Sequence, residues 1–229
     1  MVCENKNINI KAIIYLYFVI SVIEVFSEAF SIKPLILITK PLIPLLLMIL
    51  FYFTTIAKFS LFYIIMFFSL ITNLLFIPNS EKSLFYGVIA YTIHRIFLLI
   101  LIFKIIKIKD FIPFIFATIP LGFIFFYLFT AADVPENSYY LVVFHNVLAT
   151  VLGGTAISSY VMNDSKENSF LMISVLLFLG LQLVIYIEKY YLVVEHTTLL
   201  RPLAMTLNVL AFYMFYKFVM LSEKRLNNN

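Results

Sequence analysis

Residues 41–53 read PLIPLLLMILFYF, and this run decides the fold. A strand of a membrane β-barrel alternates apolar and polar residues along its length. No such alternation is present here, so the run reads as part of a helix. Extended to about 40–57, it approaches the roughly 20 mostly apolar residues that a helix needs to cross the hydrocarbon core. Seven further runs of the same character flank it, at about 12–30, 59–77, 84–103, 111–130, 138–162, 169–188 and 199–221. The links between them are no longer than about ten residues, as expected for neighbouring helices. The sequence therefore predicts an all-α integral membrane protein, a bundle of about eight transmembrane helices forming one domain over 1–229.

Composition agrees with that reading and excludes several functions. Hydrophobic residues make up 63% of the chain, charged residues 12%, and mean hydropathy is +1.05. The net charge of +4 would hint at a nucleic-acid partner in a soluble chain, but here the basic residues gather at helix ends. Placing the N-terminus in the cytoplasm puts Lys6, Lys11, Lys58, Lys104, Lys107, Lys109, Lys166, Lys217, Lys224 and Arg225 inside. Lys33, Lys40, Lys82, Lys189 and Arg201 then lie outside, a bias of about two to one that the positive-inside rule explains. Both termini are expected in the cytoplasm, with compact size pointing to a bacterial inner membrane. Cys3 is the single cysteine, so no internal disulfide can form. His94, His145 and His196 lack ligand spacing with one another, and the five glycines form no nucleotide-binding loop. Neither a metal nor a cofactor is expected. The first apolar run carries Glu24 and Glu28 and no small-residue cleavage site, so it reads as a retained helix.

Polar groups inside a bilayer are costly, and each is a candidate for function. Glu24 and Glu28, four apart, share a face of the first helix. Lys40 opens the second run, and Asn73 falls late in the third. His94 and Arg95 sit mid-way along the fourth, His145 and Asn146 early in the sixth. Gln182 and Glu188 come late in the seventh, Arg201 and Asn208 early to middle in the eighth. Because successive helices run in opposite directions, nearly all of these fall between the midplane and the outer face. Stretches such as 98–103 and 215–221, in the inner half, are apolar or end in lysine. The expected site is one polar cavity in the outer half, closed toward the cytoplasm. A channel would need polar lining across the whole thickness.

Each residue also has a structural reading. A lone Asn or Gln in a span commonly makes an interhelical hydrogen bond. Glu188, Arg201 and Lys40 can be interfacial charges that snorkel outward. Arg95 can pair with a Glu, His145-Asn146 can be hydrated, and Gly153-Gly154 can permit close helix packing. Glu24 and Glu28 together must be protonated, paired or hydrated. A faint echo links the third and fourth runs to the seventh and eighth. Asn73 matches Gln182, and Ala90-x-Thr92-x-His94 matches Ala204-x-Thr206-x-Asn208, hinting at two four-helix halves.

Three motifs, in order, resemble the YhhN-like membrane proteins, whose eukaryotic members are lysoplasmalogenases. Thr39-Lys40-Pro41-Leu42 is similar to that family's Lys-Pro-Leu motif at the second helix. Residues 69–78 (SLITNLLFIP) followed by 85–97 (FYGVIAYTIHRIF) resemble its polar pair, "LL..P", then Gly and a His-bearing helix. Residues 176–190 (LLFLGLQLVIYIEKY) resemble its late helix with a second polar pair. The likeness covers most of the chain, which would be a divergent member. Many relatives carry Gly-Asp where this chain has Thr72-Asn73, and often Ser-Asp where it has Leu181-Gln182. An amide keeps the hydrogen bonding but donates no catalytic proton at neutral pH.

The resemblance implies hydrolysis of the vinyl ether of a lysophospholipid to a fatty aldehyde and a glycerophospho-head group. That chemistry needs an acid to protonate the vinyl carbon, a positioned water and a cation for the phosphate. Glu24 or Glu28 would replace the lost acid, with His94 the alternative acid–base group. Asn73, Gln182 and Asn208 would orient water, and Lys40, Arg95 or Arg201 would bind phosphate. The other possibilities are a non-catalytic lipid-binding protein that has lost the family acid and a small transporter. The partner expected under the first two is a membrane lipid or lysophospholipid.

Overall fold

The structure is a computed structural model that describes residues 2–55, 59–78, 80–106, 110–132, 134, 136–190 and 197–228. Side chains are described for these except 2–9, 137, 189–190, 197–198 and 227–228. Lys58, Lys107, Lys109 and His196 lie outside the described residues, as do the side chains of Cys3, Lys6 and Lys189.

Eight α-helices follow one another: α1 Val2–Ala29, α2 Lys33–Thr54, α3 Ser60–Phe76, α4 Glu81–Ile105, α5 Phe111–Thr130, α6 Tyr139–Met162, α7 Lys166–Tyr190 and α8 Thr197–Asn228. A short 3-10 turn, Glu136–Ser138, leads into α6. No strand is present among the described residues. Seven helices contain stretches long and apolar enough to cross a membrane. The chain is thus an all-α integral membrane protein. The eighth, α3, has 17 residues and so spans about 26 Å at 1.5 Å per residue. That falls short of a core of about 30 Å, a mismatch that local thinning can absorb.

Every expected run is a helix, but some ends lie further out. The largest difference is α1, which begins at Val2 rather than 12; α2 begins at Lys33 rather than Lys40, with Pro34 in its first turn, where a missing N–H is harmless. Pro41 and Pro44, which punctuate the sequence like loop residues, lie inside the helix. The turn before it is tight, with Ser31 in the left-handed region at φ 54°. Other starts follow ordinary capping chemistry. Ser80 and Ser83 exchange side-chain and backbone hydrogen bonds at the start of α4, and Asp110 accepts from the Ile112 N–H at 2.9 Å to cap α5.

The helices form a ring in the order α1, α2, α3, α4, α6, α7, α8 and back to α1, with α2 also touching α8 across it. Among the described residues α5 packs closely on α6 alone. Gly153 and Gly154 make that packing possible. A Cβ on the first would overlap Leu121, and one on the second would overlap Thr118. The pairings also repeat. In each half the first helix packs on the second and the second on the third. The third then packs on the fourth, and the fourth on the second helix of the other half. The departure is that α1 touches α8, whereas α5 has no close match against α4.

One end of the bundle differs from the other. Near the α2–α3 and α7 start end, aromatic rings fill the interior, with Phe51 stacked on Phe62 at 4.1 Å and Phe62 on Phe215 at 6.1 Å. Thr155 and Ser159 there bond to carbonyls of their own helix. The candidate polar residues gather at the opposite end, where α1 turns into α2 and α7 approaches α8.

Candidate functional site

The polar residues form two buried clusters and one rim pair. The first joins α1, α2 and α3. Glu24, Glu28 and Lys40 are buried, and Lys40 Nζ donates to Glu28 Oε1 at 2.6 Å. Lys40 therefore does not snorkel to the surface, because its counter-ion lies inside. Glu24 Oε2 is in hydrogen-bond contact with the Thr39 hydroxyl, while Oε1 has no partner among the described residues. Thr39 also lies 2.8 Å from the Leu35 carbonyl. One hydroxyl proton cannot serve both acceptors. The hydroxyl donates either to Glu24 or to Leu35; in the second arrangement a neutral Glu24 carboxyl is the donor across the Thr39 contact.

Asn73 completes this cluster in a way its sequence position did not reveal. Its amide Nδ2 donates to the Lys40 main-chain carbonyl at 3.2 Å. In a regular helix that carbonyl would accept from the N–H four residues on, but residue 44 is proline and has none. Asn73 supplies the missing donor. It ties α3 to the turn of α2 that carries Thr39 and Lys40.

The second cluster joins α4, α6 and α7. Arg95 is 1% exposed and is the largest of the fully buried side chains. It donates to Gln182 Oε1 and, at 3.1 Å, to the Tyr91 hydroxyl, with its guanidinium 5.0 Å from the centre of the Tyr91 ring. Gln182 Nε2 donates to Asn146 Oδ1 at 2.7 Å, and Asn146 Nδ2 donates to the Tyr186 hydroxyl at 3.0 Å. Thr92 Oγ1 and His145 Nδ1 are 3.2 Å apart beside it. The expected Arg95–Glu pairing is absent: among the described residues no carboxylate lies within ion-pair distance of Arg95. His145 and Asn146 are buried rather than hydrated.

His94, offered by sequence as an acid–base group, is packed among rings. Tyr91 stacks on it at 5.6 Å, Phe212 and Phe178 meet it edge-on at 5.5 Å and 6.2 Å, and neither ring nitrogen has a partner among the described residues. The rim pair is Arg201 Nε with Glu188 Oε1 at 3.2 Å, where Glu188 is buried and the Arg201 side chain is 36% exposed. Asn208 is buried on α8.

The candidates thus divide. Glu24, Glu28, Lys40 and Asn73 come together, as do Arg95 and Gln182, with His94 beside Arg95 in sequence but in an aromatic pocket. Arg201 stands apart on Glu188. Among the described residues no hydrogen bond joins the two clusters. Within each cluster the described side chains are packed against one another. A separate apolar groove of about 260 Å³ runs between α1 and α8, lined by Phe18, Ser21, Val25, Phe26, Val209 and Leu210 among others. Thr39, Tyr91 and Tyr186 are site residues that hydropathy hides. The two tyrosines stand one helical turn from Arg95 and Gln182, a spacing that signals shared faces.

No group of three or more His, Cys, Asp or Glu able to hold a metal occurs among the described residues. Compared with protein-family models, curated proteins and solved structures, the chain finds no match in any of the three.

Proposed function

We propose that this chain is a divergent YhhN-like membrane protein that hydrolyses the vinyl ether of a lysophospholipid, with Glu24 as the acid. The observation that carries the reading is Glu24 itself. It is fully buried, one oxygen is without a partner among the described residues, and the Thr39 contact accommodates a proton on the other. The bond chemistry then closes on one carboxyl. Glu24 gives its proton to the vinyl carbon, leaving an oxocarbenium ion. Water adds to that cation and returns a proton to the Glu24 carboxylate. The hemiacetal then breaks to a fatty aldehyde and the glycerophospho-head group. Glu28, paired with Lys40 at 2.6 Å, lies one helical turn away and is placed to favour the cation. The α1–α8 groove, lined by Ser21 one turn from Glu24, suits the single hydrocarbon chain. The setting that goes with this reading is a bacterial inner membrane, with both termini cytoplasmic and the polar end of the bundle outward.

The test is release of fatty aldehyde from lysoplasmenyl-ethanolamine by the purified protein in detergent. Wild type should turn over and Glu24→Gln should lose roughly 10²–10⁴-fold, the range for a general acid. Undiminished release by Glu24→Gln removes Glu24 from the chemistry.

A second reading, a lipid-binding protein without turnover, is favoured by Asn73. The amide standing where many relatives have an acid is engaged by the Lys40 carbonyl. Silence of both wild type and Glu24→Gln, with retained lysolipid binding, selects it.

A further inference from the structure

We infer that the α4–α6–α7 cluster is a binding site for a phosphate-type anion, with Arg95 as its cationic anchor. A guanidinium stays charged at any ordinary pH. Buried in a membrane bundle, such a charge normally pairs with an acid or marks a ligand pathway. Arg95 is buried, and its partners are the oxygen of an amide, a phenol hydroxyl and a ring face, all neutral. The other buried cation, Lys40, shows what this fold does with a charge it must satisfy internally: it supplies Glu28 at 2.6 Å. Arg95 has no such partner among the described residues, and only two of its five N–H donors are used there.

The groups around it are suited to exchange. Gln182, Asn146 and Tyr186 are joined in series by hydrogen bonds. Each is neutral and can turn between donating and accepting. Gln182 and Tyr186 are one turn apart on α7, and the series runs from Arg95 toward the end of that helix at Tyr190. It forms a file of re-orientable donors from the buried cation to the polar end of the bundle. The Gln182 carbonyl holds the place an anionic oxygen would take. Once displaced, its amide nitrogen can join the donors facing the anion. A planar guanidinium binds two oxygens of a phosphate at once, and phosphate is carried both by lysophospholipid head groups and as the free ion. The inference stands whether or not Glu24 performs hydrolysis.

The experiment is thermal unfolding of the purified protein in a neutral detergent, read as loss of the monodisperse fraction. The additions are oleoyl lysophosphatidate, monooleoylglycerol or inorganic phosphate. The two lipids differ by the phosphate alone. Wild type should melt several degrees higher with the lysophosphatidate than with monooleoylglycerol. A gain with inorganic phosphate as well assigns the site to the free anion, and a gain with the lipid alone assigns it to a head group. Arg95→Gln should erase the difference. Should that variant not fold, Gln182→Glu decides. It places a carboxylate on Arg95, and should melt higher than wild type without additions while losing the phosphate-dependent gain. Equal shifts by the two lipids with no response to phosphate overturn the site. So does a phosphate-dependent gain that survives in Arg95→Gln or Gln182→Glu.

Discussion

The two buried clusters follow one plan and end with opposite electrostatics. In each half an amide on the third helix reaches the second: Asn73 on α3 bonds to Lys40 of α2, and Gln182 on α7 bonds to Asn146 of α6. Around the first amide the fold gathers a lysine and two carboxyls. Around the second it gathers an arginine, another amide and hydroxyls. The first cluster pairs Lys40 with Glu28 and retains a Glu24 oxygen without a partner among the described residues, the feature on which the proposed acid rests. The second carries a positive charge with no acidic partner among the described residues, the feature on which the proposed anion site rests. Under the two proposals, similar scaffolds would serve complementary roles at the same end of the bundle, one chemical and one for holding a charged group.

The widest separation this contrast predicts lies within the first cluster. Glu28→Gln leaves Lys40 as a buried cation without its counter-ion, a loss of about 3–5 kcal/mol for a broken buried pair. Glu24→Gln replaces a neutral acid by a neutral amide of nearly the same shape and should change stability by about 1 kcal/mol or less. Denaturant unfolding of both variants in detergent measures the gap. Equal losses would mean that Glu24 is charged in the folded protein, and the division of labour between the two carboxyls would fail.

A smaller effect tests the shared plan. Asn73→Asp removes the donor that serves the Lys40 carbonyl in place of the absent Pro44 N–H. An ionised aspartate there would accept and not donate. The expected loss is about 1–3 kcal/mol, that of a buried acceptor left unsatisfied. Unchanged stability in the same unfolding measurement would show that this turn of α2 does not depend on α3, and would favour Asn73 as a group that faces substrate.

Most of the fold was legible in the sequence because bilayer physics leaves few solutions. A run such as 41–53 cannot be a barrel strand, and eight such runs can only be a helical bundle. The site was half legible. That polar residues concentrate at one end followed from antiparallel succession alone, and Glu24, Glu28, Lys40 and Asn73 meet as a group. Their partners were not legible. Lys40 read as a possible snorkelling charge because the apolar run begins at it, which hid that the helix starts about two turns earlier, at Lys33, and that Lys40 lies inside it facing Glu28. Arg95 read as a partner for some glutamate because isolated buried arginines are rare, and nothing in a linear sequence says that every described acid lies elsewhere. Tyrosine presents the same difficulty, since a mostly apolar ring conceals the hydroxyls by which Tyr91 and Tyr186 extend the second cluster.

His94 separates proximity in sequence from membership of a site, and it gives the smallest expected effect. It adjoins Arg95 in the chain, yet successive residues of a helix point in different directions. Its ring is set among Tyr91, Phe178 and Phe212 while Arg95 reaches Gln182. An imidazole whose nitrogens are both buried without partners gains nothing from being polar there. His94→Phe should therefore leave aldehyde release and phosphate-dependent stabilisation unchanged. It should alter stability by less than about 1 kcal/mol, since an apolar ring of similar shape replaces unsatisfied polar atoms. Loss of aldehyde release with the fold intact would place His94 in the chemistry and move the acid–base centre from the α1–α2–α3 cluster to α4. Loss of the phosphate response alone would add His94 to the anion site and leave the contrast between the two clusters standing.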